Sequence, residues 1–190
     1  MSTLPGTYTG ATGSPFEFGE AVPLWARAGR VELLRVATTY HKVIEYKAFA
    51  EAIQATTDVY TRVLLSNWIG RVLEPIAEDC FARQEPLLTS LVVRAEGDVG
   101  PGYDGAIANT YGTFGGLDRE HHAAAERLKC YIRWAVVLPA RPIAALTPNY
   151  LATLRRRSTR AGASSPPNLT RDVCPRCFQV KSLTGSCACD

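Results

Sequence analysis

The sequence predicts an α+β fold, mainly helical, with a small C-terminal appendage that cannot fold unaided. Three observations predict it. Four stretches repeat apolar residues at helical spacing. Only two segments, Val43-Ile44 and Leu87–Val93, have the β-branched composition of strands. Four of the six cysteines fall within the last seventeen residues, a segment too short to bury a core.

Residues 1–20 are Thr-, Gly- and Ser-rich without periodicity and are expected to form a flexible arm. A first helix is expected from Pro23, a residue suited to a first helical turn, to about Thr38. Leu24, Ala28, Val31, Leu34 and Val36 would be its apolar side. After Val43-Ile44, a second helix over Tyr46–Ala55 turns Phe49, Ala50 and Ile53 inward. Asp58 is placed to cap a third helix, because its carboxylate can accept the free N–H groups of a first turn. Leu64, Leu65, Trp68, Ile69, Val72, Leu73 and Ile76 give that helix a broad apolar stripe, which Pro75 should kink or break. Leu87–Val93 reads as a strand, Glu96–Gly102 as a turn-rich loop, and Tyr103–Tyr111 as a returning strand or irregular segment. A last long helix runs from an Asp118 cap to Leu138, with Leu128, Ile132, Ala135 and Val136 inward and Tyr131 and Trp134 near that face. Ala140–Leu154 has room for one more short helix. The Ser-, Ala- and Pro-rich stretch after it is a linker. The expected domains are therefore an arm (1–20), a body (21–154), a basic linker (155–172) and a cysteine-bearing tail (173–190).

The tail carries the one specific chemical signature. Cys174 and Cys177 form a CxxC pair. A nine-residue spacer leads to the CxC pair Cys187 and Cys189. Two close thiolate pairs complete a tetrahedral shell around one zinc ion, and such a closed shell is structural rather than catalytic. Binding of zinc stabilises small fingers by roughly 10–16 kcal/mol, enough to hold a segment with no core of its own. Disulfides are the competing account, and they need an oxidising compartment. Met1–Ser14 has neither a basic start nor an apolar h-region, so no secretory signal is read and a cytoplasmic protein is expected.

Charge is unevenly spread. From Arg155 onward there are seven Lys and Arg against two acids, a net of +5. The whole chain carries +3, so residues 1–154 carry −2. A basic tail on a slightly acidic body points to a polyanion. Arg155, Arg156, Arg157 and Arg160 are the leading phosphate contacts, extended by Arg176 and Lys181 on the tail. Ser66, Asn67, Gly70, Arg71 and Glu74 lie opposite the apolar stripe of the third helix, with Arg62 on the border, and Asn and Arg can read base edges. The acidic loop residues Glu96, Asp98 and Asp104 oppose this by repelling phosphate.

Catalytic patterns are missing from the sequence. There is no P-loop, no G-x-S-x-G and no G-x-G-x-x-G opening a helix. His121-His122 lacks the H-E-x-x-H spacing, since neighbouring helical residues point about 100° apart. Cys80 and Cys130 read as small buried apolar residues.

Helix, short strand, helix, helix and two strands around a Gly-rich loop is the order of a winged helix, whose third helix faces the DNA major groove. Residues 40–103 resemble winged-helix modules of prokaryotic and phage DNA-associated proteins. Ile44-Glu45-Tyr46-Lys47-Ala48-Phe49-Ala50 carries the resemblance, with Trp68-Ile69-Gly70. Glu85–Val93 followed by Gly100-Pro101-Gly102-Tyr103 is similar to a module found beside restriction and defence genes. A likeness to alkyltransferase-like proteins stops at Cys80, because Glu78-Asp79-Cys80-Phe81 lacks their reactive-cysteine motif. The resemblance implies a non-enzymatic DNA-binding regulator, or a defence or counter-defence factor. Two alternatives stay open: an adaptor or inhibitor docking a host protein through the acidic body, and a small nuclease or transferase using His121 and His122.

Overall fold

The computed structural model describes residues 6–110, 112, 117–162, 174 and 176. The chain divides into two units, Met1–Thr153 and Leu154–Asp190. The first unit is α+β and mainly helical. It contains β1 (Thr7–Thr9), α1 (Phe18–Ala37), β2 (Ile44–Glu45), α2 (Tyr46–Thr57), β3 (Val59–Thr61), α3 (Ile69–Ala82), β4 (Val92–Val93), α4 (Gly102–Thr110) and α5 (Arg119–Trp134). Short 3-10 turns at Leu65–Asn67 and Leu88–Leu91 precede α3 and β4. A sixth helix, α6 (Pro148–Gly162), runs across the boundary between the units. Among the described residues no helix is long and apolar enough to cross a membrane.

The central element is α1, which packs on α2, α3, α5 and the Leu88–Leu91 turn. Its buried side is Ala21, Trp25, Gly29, Leu33 and Val36, close to i, i+4 and i+7 spacing. The expected stripe is offset from this one, and Val31 is 67% exposed. Aromatic size decides the difference: burying Trp25 removes more apolar surface from water than burying Val31. Trp25 packs on Trp68 with ring centroids 4.7 Å apart. Its indole N–H donates to the Val59 carbonyl at 2.9 Å, so the polar edge of the buried ring is satisfied. Leu33, Ile53, Val72 and Ile76 complete this core, each stabilising the fold by about 1.5–3 kcal/mol.

Several expected elements are different in the structure. Thr7–Thr9, expected to belong to the flexible arm, is a strand. It pairs antiparallel with β3 in the register Thr7↔Thr61, Tyr8↔Tyr60 and Thr9↔Val59. Three residues are too few to show alternation, and the partner strand lies some fifty residues away. Asp58 caps nothing downstream. It takes a left-handed conformation (φ 53°) at the end of α2 and turns the chain into β3. The third helix therefore begins at Ile69, and Leu64 is 72% exposed ahead of it. Of the expected stripe Trp68, Ile69, Val72 and Ile76 are buried and Leu73 is half-buried, Ala77 and Cys80 join the buried side, and α3 continues through Pro75. The strand expected at Leu87–Val93 shrinks to β4, which pairs in parallel with β2, Ile44↔Val92 and Glu45↔Val93. Tyr103–Tyr111, expected as a returning strand or an irregular segment, instead forms α4 up to Thr110. Among the described residues there is thus no two-stranded wing around the Gly100-Pro101-Gly102 turn.

Helix α5 starts as expected. Asp118 accepts hydrogen bonds from the N–H groups of Glu120 and His121, both at 3.0 Å. Its buried side is not the expected one. Ile132 and Val136 are exposed, while Glu120, Ala123, Ala124, Glu126, Arg127, Cys130 and Tyr131 are buried. Three charged side chains go inside because each meets a backbone group there. Glu120 Oε1 accepts from Val99 N–H at 2.9 Å, and Glu126 Oε2 accepts from Leu87 N–H at 3.0 Å. Arg127 Nη1 donates to the Ser90 carbonyl at 3.2 Å. Two of these bonds serve the irregular segment around Leu88–Leu91, and the one to Val99 serves the loop after β4, where the backbone has no sheet neighbour. Cys80 and Cys130 are buried as expected, and desolvation raises both thiols above their ordinary range.

Candidate functional site

The four positions expected on a recognition helix do not share one. Arg62 follows β3, Ser66 and Asn67 sit in the Leu65–Asn67 turn, and only Arg71 lies on α3. All four are exposed. Both arginines rest on aromatic rings: Arg62 stands 5.9 Å from the Tyr8 centroid and Arg71 stands 5.0 Å from the Phe18 centroid. They are anchored to β1 and the start of α1, which the sequence predicts as arm.

Arg155, Arg156 and Arg157 lie within α6 and are all exposed. The helix thus continues past Leu154, beyond the point where a linker is expected to begin. Arg160 falls in the same helix. Among the described residues no carboxylate lies within ion-pair distance of the triplet. In the body, by contrast, Arg30, Arg35, Arg83, Arg94, Arg119 and Arg133 each pair with an acid. Successive residues advance about 100° around a helix, so the three guanidinium groups cover roughly 200° of the surface. Of the expected zinc ligands, Cys174 is described and is buried. Cys177, Cys187, Cys189 and Lys181 lie outside the described residues, and Arg176 is exposed at a turn.

The histidine pair is split, as adjacent helical positions require. His121 is exposed, with Nδ1 at 2.7 Å from Asp118 Oδ2. His122 is half-buried, with Nδ1 at 3.0 Å from Tyr103 Oη. The two rings do not converge on a common point.

A cavity of about 820 Å³ opens between the start of α2, the first half of α3, and α4. Tyr46, Ile69, Leu73, Tyr103 and Ala106 form its mainly apolar wall, and Lys47, Glu74 and Arg94 stand at the edge. Burial raises the Tyr46 phenol above its ordinary value, against a lowering hydrogen bond from the Gly100 backbone. Gly100 is needed there because a Cβ would lie 2.6 Å from Tyr46 Oη. Arg94 pairs with Asp98, which uses its charge within the loop. Sequence reasoning does not find this cavity. Its wall comes from segments far apart in the chain, and of its four glycines those at positions 100 and 102 read locally as turn residues.

The second missed feature is the buried charged side of α5. A signal for it exists: Ala123, Ala124 and Cys130 are small residues on one helical face, and Arg127 lies among them. The chain matches no protein family, no curated protein and no solved structure.

Proposed function

We propose that the protein is a non-catalytic DNA-binding factor that grips the phosphate backbone through α6 and the tail. One observation carries the proposal: Arg155, Arg156 and Arg157 stand exposed on a helix with no acidic partner among the described residues. Three exposed guanidinium groups in series attract a polyanion and release its condensed counterions. Arg160, Arg176 and Lys181 extend the same basic stretch in sequence. Cys174, Cys177, Cys187 and Cys189 would hold one zinc ion. Four thiolates leave no open coordination position, so the metal shapes the tail and does no chemistry. The body enters as a scaffold, and no recognition helix is invoked, since Arg62, Ser66 and Asn67 precede α3. Phosphate-directed arginines of this kind grip backbone and read no sequence.

Fluorescence anisotropy of a labelled duplex, titrated with salt, tests the proposal. The wild type should lose affinity steeply with salt. Replacing Arg155, Arg156 and Arg157 together by Ala should flatten the log–log slope by about 3, one unit for each phosphate no longer neutralised. Undetectable binding at low salt, or an unchanged slope in the triple variant, refutes it. Zinc is checked separately. Elemental analysis should return about one zinc per chain, and Cys177→Ser should lower that value.

A second reading, a protein-binding adaptor, has one observation in its favour. The 820 Å³ cavity is apolar enough to take a side chain or a short helix of a partner. Ala106→Trp would fill it. That variant should bind DNA as the wild type does under the first reading, and should lose a protein partner under the second.

A further inference from the structure

Helix α5 buries a cation, Arg127, that forms no ion pair among the described residues and feels the Glu120 carboxylate only at a distance. Arg127 is 2% exposed, and among the described residues no carboxylate lies within ion-pair distance of it. Its Nη1 donates to the Ser90 carbonyl at 3.2 Å. Its Nη2 is buried and has no partner. Three other buried polar atoms share this condition: Thr89 Oγ1, Ser90 Oγ and Glu120 Oε2. All four belong to α5 or to the Leu88–Leu91 turn packed on it. Among the described residues, the buried side-chain atoms without a partner are therefore gathered in one place. Leaving a buried charge unpaired costs several kcal/mol, far more than a neutral orphan. Desolvation accordingly lowers the Arg127 guanidinium below its ordinary value.

Arg127 also forms part of the wall of a cavity of about 240 Å³, separate from the larger one. The exposed His41, with Val43, Leu128 and Tyr131, lines one side, and Ile143, Ala145 and Leu146 line the other. The latter three belong to an irregular strap between α5 and α6. The strap is held at both ends. Tyr40 Oη accepts from Ile143 N–H at 2.9 Å, and Thr147 Oγ1 donates to the Gly97 carbonyl at 2.6 Å. Between these ties the strap covers the cavity with aliphatic side chains and brings no charge to it.

We propose that this cavity binds a small monocarboxylate with an apolar body, its carboxylate paired with Arg127. A guanidinium is the side chain best matched to a carboxylate, and in a site screened from water the pair is strong. The charge of the ligand is limited to one. Arg127 is the sole buried cation among the described residues, and Glu120 on the same helix face would repel a second negative charge. Glu126, next to Arg127 in the chain, does not line this cavity and is occupied by Leu87 N–H and Lys129. The apolar wall selects an aliphatic or aromatic body over a polar one. A volume below the usual 300–1,000 Å³ of drug-sized pockets limits its size. The competing account is a buried water bridging Arg127 and Glu120, with no ligand. In that case carboxylates would leave the stability of the protein unchanged.

Benzoate and hexanoate are suitable probes, with benzamide and hexanol as neutral controls. Thermal unfolding of the full chain is followed with each at increasing concentration. Binding should raise Tm saturably by about 5–10 °C at a hundredfold excess over Kd, for at least one carboxylate and for neither control. Ala145→Phe narrows the cavity from the strap side and leaves Arg127 in place, and it should abolish the rise. Arg127→Met keeps the volume and removes the charge. If it folds, it should abolish the rise too. The proposal is overturned if neither carboxylate shifts the wild type, if the neutral controls shift it equally, or if Ala145→Phe responds undiminished. Nucleic acid is absent from the experiment, so its outcome is independent of the DNA-binding proposal.

Discussion

Gly29 shows how one atom sets the spacing of three helices. A Cβ at this position of α1 would lie 2.8 Å from Phe49 on α2 and 3.0 Å from Ile76 on α3. Ala is the better helix former by roughly 1 kcal/mol. Here overpacking wins, because forcing a methyl into a full core costs about 1–3 kcal/mol and both neighbours are wholly buried. Gly29→Ala should therefore lower the urea midpoint without changing the m-value. His122 supplies a residue-scale pH effect. Desolvation holds its imidazole below the ordinary value of 6.5. Below that value the unfolded chain binds the proton more readily than the folded one, so stability falls as pH drops through 6.5 toward the folded pKa. Glu120, raised by burial, acts in the opposite sense: its contribution is lost as pH rises above its ordinary 4.5. The two are separable by substitution. His122→Asn should flatten the acid side of a plot of stability against pH, measured from pH 7 downward.

At the scale of elements, α5 is specified at its start by local chemistry and along its length by its neighbours. Asp118 caps two free N–H groups, and this was legible because capping involves only residues three apart. Asp118→Ala should cost about 1 kcal/mol of stability by chemical denaturation. The buried side of the helix was not legible. Hydrophobicity alone selects Ile132 and Val136, which the fold leaves exposed. It cannot select Glu126, whose place inside depends on the Leu87 N–H that it accepts at 3.0 Å. Asp58 fails in the same way in reverse. As a residue type it suits a cap, but equally the left-handed conformation that it adopts after α2. The strand it leads into, β3, exists because β1 offers a partner. Short strands carry little signal of their own. Each of the four among the described residues has three residues or fewer, and pairing across long stretches of chain creates them.

At the scale of the whole molecule, basic and acidic charge are divided along the chain. The unit Met1–Thr153 pairs most of its arginines with carboxylates. Arg155–Arg157 are exposed and have no acidic partner among the described residues. This division was visible in the sequence as a net +5 from Arg155 onward. It underlies the proposed salt-dependent grip on DNA. The cavity behind Arg127 was not visible, because its wall joins the loop before β2, α5 and the strap before α6. Two binding functions would then use different chemistry in different places: exposed arginines for a polyanion, and one enclosed arginine for a monocarboxylate.

The sequence by itself determined the mainly helical class, the start of α5, the inward side of α2, and the thiol set from which a zinc site would be built. These depend on spacing and side-chain chemistry within a few residues. Only the tertiary structure decided which side of α1 and α5 faces the core, where the short strands pair, and that α4 replaces the expected wing strand. Those outcomes depend on competition for buried area and for backbone hydrogen bonds. Such partners are brought together by folding and are not written next to one another in the chain.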